Sequence, residues 1–412
     1  MKYVKLYECA KFSDKRTKEI NIESYISTEN MLPYKGGVAT AETLPDCQSA
    51  SKYEPHDILL SNIRPYFQKI WYANRIGSCS NDVLVLKSNG KVDSKFLYYV
   101  LSDKTFFDYA TLTSKGTKMP RGTKNAIMKY IVPDITLPIQ QKIASILSSY
   151  DSLIENNTKR IRLLEQMAEN LYKEWFVRFR FPGYENTEFV ESKLGKLPSA
   201  FKVTNMDSIF DYYIGGGWGN DNKSEDFPIE ASVIRGADFP SVWNYDVSSC
   251  PRRFHKASNY KSRQLQDGDI IMEISGGTSE QPVGRTVLVT QDLIDRYDGG
   301  KVICASFCKL IRLKKDIISP YFFYYWMQYL YDTRIIDRYQ LQSTGIINFK
   351  FEAFLRKGFV MLPSKEIMSK FDKQVIPIYH EINSLAKQNE NLTHQRDLLL
   401  PRLMSGKLEI KF

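Results

Sequence analysis

The stretch LPIQQKIASILSSYDSLIENNTKRIRLLEQMAENLYKEW, residues 137–175, decides how the rest of the chain is read. Apolar or amphipathic residues stand at Ile143, Leu147, Tyr150, Ile154, Ile161, Leu164, Ala168, Leu171 and Trp175, in alternating steps of four and three, and Asn157 interrupts them. Such a seam, sustained over more than about four heptads, predicts one long helix whose narrow apolar stripe must meet a partner. Phe181-Pro182-Gly183-Tyr184 closes it, because proline and glycine end helices.

A second seam near the end of the chain supplies the partner: Phe371, Val375, Ile378, Ile382, Leu385, Leu392, Leu399 and Leu403, interrupted by Asn389 and Arg396. If the helices lie antiparallel, facing residues have numbers with a constant sum, and one choice pairs Asn157 with Asn389. The same register pairs Ile143 with Leu403, Leu147 with Leu399, Ile154 with Leu392, Ile161 with Leu385, Leu164 with Ile382, Leu171 with Val375 and Trp175 with Phe371. The one mismatch sets Tyr150 against Arg396. A polar layer in an apolar seam fixes register at some cost in stability. The sequence therefore predicts an intramolecular antiparallel coiled coil. The competing arrangement has each helix packing on its own domain or pairing with another molecule.

The helices alternate with two globular stretches that repeat each other. Ser94-Lys95-Phe96-Leu97-Tyr98-Tyr99 recurs as Ser319-Pro320-Tyr321-Phe322-Phe323-Tyr324, and Leu137-Pro138 as Leu362-Pro363 at the same spacing. Strand-like Asp57-Ile58-Leu59-Leu60 and Asp82-Val83-Leu84-Val85-Leu86 are answered by Gly268-Asp269-Ile270-Ile271-Met272 and Cys308-Lys309-Leu310-Ile311-Arg312-Leu313. The fold class is α/β, with two mixed domains, 1–135 and 183–361, separated by helical segments 136–182 and 362–412 in a pseudo-twofold arrangement. Whatever this chain binds, it is expected to bind twice.

At 412 residues and 43% hydrophobic content there is enough chain for two cores, and the net charge of +10 favours a polyanionic partner. The cysteines, Cys9, Cys47, Cys79, Cys250, Cys304 and Cys308, form no Cys-x-x-Cys, and the four histidines lack zinc-ligand spacing. Buried reduced thiols in a cytoplasmic protein are expected, with no metal and no cofactor. The first residues have no apolar signal-peptide core, and the most apolar run, Tyr321 to Tyr331, is about half a bilayer span and reads as a core helix.

Signatures of catalysis are missing. There is no Gly-Lys-Ser/Thr for a phosphate loop and no Pro-Pro for the catalytic motif of amino-methyltransferases. Asp269 and Glu273 have nuclease-like spacing, but Ser275 stands where lysine is needed; Gly215-Gly216-Gly217-Trp218-Gly219 leads into Asn220-Asp221-Asn222 and no helix. No catalytic residues are assigned, and a binding protein is the better inference.

Leu137-Pro138-Ile139-Gln140-Gln141-Lys142-Ile143, Leu362-Pro363, Val233-Ile234-Arg235-Gly236-Ala237-Asp238, Gly268-Asp269-Ile270, Thr344-Gly345 and the closing Leu399-Leu400-Pro401-Arg402-Leu403-Met404-Ser405-Gly406-Lys407 resemble the specificity subunit of type I restriction-modification systems. The resemblance spans the chain in the order recognition domain, helix, recognition domain, helix. It implies that each domain reads one half of a split, non-palindromic DNA site and that the helices act as a ruler. A helix of about 35 residues spans roughly 50 Å, enough to separate contacts by about a duplex turn or more. It further implies methylation subunits that use S-adenosylmethionine, and restriction subunits that use ATP, as the catalytic partners. Faces around Arg160, Arg162 and Glu165, or Lys387 and Glu390, are candidate docking surfaces, with a solvated coiled-coil face as the plain alternative.

Candidate DNA contacts follow from charge and side-chain chemistry. Between Tyr109 and Pro133 there is no acidic residue, while Lys115, Lys118, Arg121, Lys124 and Lys129 are basic; Thr113 to Gly122 reads as a flexible loop suited to phosphate oxygens. Its counterpart, Gln342 to Lys350, carries only Lys350. The span Val247 to Gln266 is also acid-free and holds Arg252, Arg253, His255, Lys256, Lys261 and Arg263. Arginine suits guanine and asparagine or glutamine suits adenine. On that ground Trp218, Asn220, Asn222, Arg235, Ser275 and Gln281, and in the first domain Lys35, Asn62, Arg64 and Tyr66, are candidate base readers, each with ordinary surface decoration as its alternative. Two other functions compete: a basic tandem scaffold or RNA-binding protein without sequence-specific DNA reading, and a specificity module serving a different class of methyltransferase or nuclease.

Overall fold

The computed structural model describes residues 2–278, 281–343 and 346–404, so Thr344-Gly345 and Ser405-Gly406-Lys407 lie outside the described residues. Two compact units result: Met1–Asn156 with Asn389–Phe412, and Asn157–Gln388.

In the first unit a four-stranded sheet has the order β1 (Ala10–Phe12), β4 (Val83–Ser88), β2 (Ile58–Ser61), β3 (Ile70–Tyr72). Successive strand side chains point to opposite faces, and here both faces are covered. Ile58, Leu60, Leu84 and Leu86 join one core with Phe96, Leu97 and Val100 of α1 (Ser94–Ser102). Leu59, Val83 and Val85 join another with Ile26, Tyr53 and Cys79. That second core lies under a smaller sheet in which Tyr25–Ile26 runs parallel to Gly77–Cys79. The near-continuous apolar run of β2 is thus the signature of a strand buried on both sides.

The second unit repeats the plan. Its four-stranded sheet has the order β5 (Phe210–Gly215), β8 (Cys308–Leu313), β6 (Ile270–Glu273), β7 (Thr286–Leu288). Ile270, Met272, Ile311 and Leu313 pack with Phe322, Phe323 and Trp326 of α3 (Pro320–Asp332), while Ile271, Leu310 and Val287 face a second core. A parallel pair again accompanies it, Ile229–Ile234 with Val302–Cys304. The units differ in where an additional antiparallel strand attaches: Ala50–Tyr53 adds to Gly77–Cys79 in the first, Arg252–His255 to Ile229–Ile234 in the second.

The helix caps correct the repeat alignment by one residue. Asp93 accepts from the Phe96 amide at 2.8 Å and Ser319 accepts from the Phe322 amide at 3.2 Å, so the caps make Phe96 equivalent to Phe322 and not to Tyr321. Both phenylalanines are fully buried. The apolar run at Tyr321 is the core helix α3, and among the described residues no helix is long and apolar enough to cross a membrane.

The two long helices are α2 (Leu137–Tyr172), followed by a π-helical turn at Lys173–Val177, and α4 (Lys365–Met404). Leu362 ends a strand, so the second helix starts later than its Leu-Pro pair suggests. They pack together antiparallel. In the first unit Ile143 and Leu147 share a core with Leu399, Leu400 and Leu403. In the second unit Ile161 and Leu164 cluster with Ile382 and Leu385, and the Trp175 and Phe371 rings lie 6.0 Å apart. These pairings match the heptad register within each unit. Truncating a fully buried seam residue such as Leu147 to alanine costs about 2–5 kcal/mol.

Five cysteines are buried as expected, but Cys47 is exposed because it sits in the surface loop before Ala50–Tyr53.

Candidate nucleic-acid interface

In the first unit three loops are laced together by main-chain hydrogen bonds. Tyr34 and Lys35 donate to the carbonyls of Phe67 and Gln68 at 2.8 and 3.0 Å, Arg64 donates to Pro120 at 2.8 Å, and Gly122 donates to Asn62 at 2.9 Å. Lys115 and Arg121 exchange both of their bonds at 2.9 Å. The segment 113–122, expected to be flexible, is therefore a pinned hairpin. The sequence could not show this because the bonds reach loops more than fifty residues away.

Four non-glycine residues at this junction have left-handed backbone: Tyr34 at φ 54°, Lys35 at 64°, Arg64 at 49° and Gln68 at 52°. Such conformations cost energy and persist only where surrounding contacts over-determine them, and they gather at ligand-binding sites. Gly122 permits close approach, since a Cβ there would lie 2.8 Å from Asn62 Oδ1. Asn62 Oδ1 and Arg64 Nε are buried without a hydrogen-bond partner among the described residues.

The lacing brings Lys35, Asn62, Arg64, Lys115 and Arg121 into one loop cluster, with Lys118 at the hairpin tip. Tyr34, Tyr66 and Met119 are exposed on it. Lys35 is ion-paired to Asp397 at 3.5 Å and Arg121 to Asp82 at 3.3 Å. Lys124 stands elsewhere, in a cleft with Arg16 and Asn81, its ammonium 5.7 Å from the Phe12 ring centroid.

In the second unit the glycine run explains the local geometry. A Cβ on Gly216 would fall 2.1 Å from the Ala305 carbonyl oxygen, and one on Gly219 2.5 Å from that of Phe254, so only glycine lets this loop lie flush against its neighbours. Asn220 and Phe254 then exchange main-chain bonds at 2.8 and 2.9 Å. This joins Trp218 and Asn220 to Arg253, whose guanidinium lies 4.7 Å from the Trp218 ring centroid. Asn222 and Lys256 are exposed, Lys256 beside the Phe227 ring, and Arg263 donates to the Gly215 carbonyl at 2.9 Å. His255 is buried, and desolvation together with the Arg253 charge lowers its pKa, which favours the neutral imidazole.

Other candidates are drawn into structural roles. Arg235 donates to Asp238 at 2.7 and 2.8 Å and to the Ser249 carbonyl at 2.9 Å, closing the turn that the Arg-Gly-Ala-Asp segment forms. Arg252 is paired with Glu230 at 2.9 Å and Asp298 at 3.0 Å. Ser275 donates to Asn348 at 2.7 Å across a small sheet made with Ile346–Phe349, and Lys350 is exposed just after that strand. The Gln281 amide faces the Arg285 guanidinium at 2.9–3.2 Å.

Sequence reasoning missed the carboxylates. Asp82, Asp221, Glu230 and Asp298 reach the arginines from outside the acid-free runs, so a stretch free of acids in sequence is not free of them in space. It also missed the buried ion pair of Glu273 and Arg285, 2.7 Å apart, with Arg285 donating to the Gly236 carbonyl at 2.9 Å. Asp269 is likewise engaged, by Arg312 at 2.8 Å. Both carboxylates are thus taken up by arginines, and among the described residues no group of three or more metal-binding side chains gathers. Asn157, singled out for the helix seam, is buried and donates to Gln388 Oε1 at 3.4 Å; Asn389 stands in the part of α4 that belongs to the first unit.

Residues 5–166 match the family described as the type I restriction modification DNA specificity domain. The chain is 25% identical over 340 residues to the type I restriction enzyme MjaIX specificity subunit of Methanocaldococcus jannaschii, covering 79% of this chain and 72% of that one. It is 23% identical over 426 residues to the HindI specificity subunit of Haemophilus influenzae, covering 90% of each. Its fold is similar to the crystal structure of a type I restriction-modification S subunit from M. genitalium, with a TM-score of 0.54 at 15% identity, over 100% of this chain and 96% of that one. Over most of its length the chain is thus similar to type I restriction enzyme specificity subunits, and the family's own domain model matches its first recognition domain and much of the first long helix.

Proposed function

We propose that this chain selects the DNA sequence on which a type I restriction-modification complex acts, each recognition domain reading one half of a bipartite, gapped site. The observation that carries the reading is the duplication: two sheets of the same strand order, each backed by a helix at the same place and each followed by a long seam-bearing helix. The laced loops of the first domain and the glycine-run loop of the second present the cations and exposed aromatics suited to phosphate and base contact. The long helices set the spacer and dock the methylation subunits. The chain is non-catalytic and holds no cofactor; S-adenosylmethionine is used by the methylation subunits and ATP by the restriction subunits.

The test is adenine-methylation mapping in cells expressing the methylation subunit with and without this chain. A split motif that vanishes without the chain is expected. No chain-dependent motif, with the partner shown to be expressed, would contradict the reading and move weight to a basic scaffold or RNA-binding role.

A further inference from the structure

We propose that Asp221 sets the discrimination of the second recognition domain by clipping Arg253, so that only a DNA base offering a good pair of acceptors displaces it. The proposal rests on the reading of this domain as a DNA reader and adds a residue to which that reading gives no role.

Arg253 is engaged at all three of its guanidinium nitrogens. Its Nε and one terminal nitrogen point at the carbonyls of Trp218 and Gly219, both at 3.3 Å, and its plane lies over the Trp218 ring. The other terminal nitrogen is ion-paired to the Asp221 carboxylate. The side chain of Arg253 is only 12% exposed, whereas that of Asp221 is 79% exposed. One edge of the guanidinium is thus fixed by backbone that the glycine run holds in place, and the other is covered by a carboxylate standing in water.

Those two halves have different strengths. A largely exposed carboxylate contributes little net binding, because its attraction is screened and holding its side chain in place costs entropy. A guanine edge presents two acceptors, O6 and N7, to an arginine already oriented and stacked, and bidentate geometry makes that exchange favourable. A base edge of another sequence lacks that pair of acceptors, so there the Asp221 clip stays closed and Arg253 makes no contact with the DNA. Asp221 therefore costs the cognate site little and unrelated DNA more, which is discrimination by an element set against the wrong partner.

The experiment uses the full chain with its methylation subunit and two duplexes, one carrying the motif found by methylation mapping and one unrelated, across a salt series. Asp221→Asn is expected to tighten binding to the unrelated duplex by about fivefold while changing the cognate affinity by less than about twofold, the scale of an exposed ion pair. Glu185→Gln makes the same charge change at an exposed carboxylate outside the long helices and the candidate DNA loops, and is expected to leave the ratio alone. In an Arg253→Ala background the Asp221→Asn gain should disappear. Asp221→Asn behaving like Glu185→Gln, or a gain that survives without Arg253, would overturn the proposal even if the wild type discriminates well. Failure of the wild type to discriminate between the duplexes would instead remove the DNA-reading function on which it rests.

Discussion

Arg396 Nη1 lies 2.7 Å from Asp151 Oδ1, forming an ion pair where the heptad pattern sets Tyr150 against Arg396. The mismatch in the seam is therefore a charged layer. Tyr99 of α1 donates to the other Asp151 oxygen at 2.5 Å, and Arg396 also holds Asp397, which in turn meets Lys35 of the laced loops. Desolvation and the neighbouring Asp151 carboxylate raise the Tyr99 pKa, so the hydroxyl stays a donor at all ordinary pH. Replacing Asp151 with Ala leaves the Tyr99 hydroxyl unmatched and Arg396 with Asp397 alone, and is expected to destabilise the chain by about 2 kcal/mol, less than a fully buried pair because the carboxylate is partly solvated. Asp151→Asn should cost about half as much. Urea unfolding of the two variants measures this.

Asn157 makes the opposite prediction. It is buried with a long 3.4 Å bond to Gln388, a weak return for a desolvated amide. Asn157→Leu is expected to raise stability by about 1 kcal/mol and to loosen the specification of register. A fall in the thermal midpoint would show that the polar layer is stabilising as well as specifying.

Glu54 supplies a pH dependence. It accepts from Lys87 at 2.6 Å and Lys15 at 3.1 Å, and these bonds hold its pKa down from 4.5 to about 2. A carboxylate with a depressed folded pKa contributes stability that is present above its unfolded value and is lost as pH falls through the folded one. The wild type should therefore lose stability between about pH 4.5 and 2 through this group, and Glu54→Gln should flatten that part of a stability-against-pH curve. Parallel curves for the two proteins would refute the assignment.

Lys115 and Lys118 test the laced loops. Under the proposed function they hold phosphates, so replacing both with alanine is expected to weaken cognate and unrelated DNA alike. The log–log salt slope should drop by about one for each phosphate no longer held. An unchanged slope would take the hairpin out of the interface.

What was legible in the sequence follows from what is local. The heptad seams gave the long helices and their register because the stripe must be buried, and β2 and β6 were legible as strands because both faces are apolar. The charge partners of the arginines were not legible, since Asp221, Glu230 and Asp298 lie outside the basic run and meet it only after strand pairing. The pinned hairpin escaped for the same reason: Pro120 and Gly122 are held by Arg64 and Asn62 through backbone atoms that carry no sequence signature. The repeat register slipped by one residue because Ser94 and Ser319 match in letter, whereas the helix caps are Asp93 and Ser319.

Under the proposed function, each domain reads its own half of a split site. The most direct measurement exchanges residues 1–135 for the corresponding segment of a relative and maps adenine methylation in cells carrying the chimera with the methylation subunit. One half of the motif is expected to change while the other half and the spacer stay as they were. A chimera that methylates the original motif, or one in which both halves change together, would contradict the account.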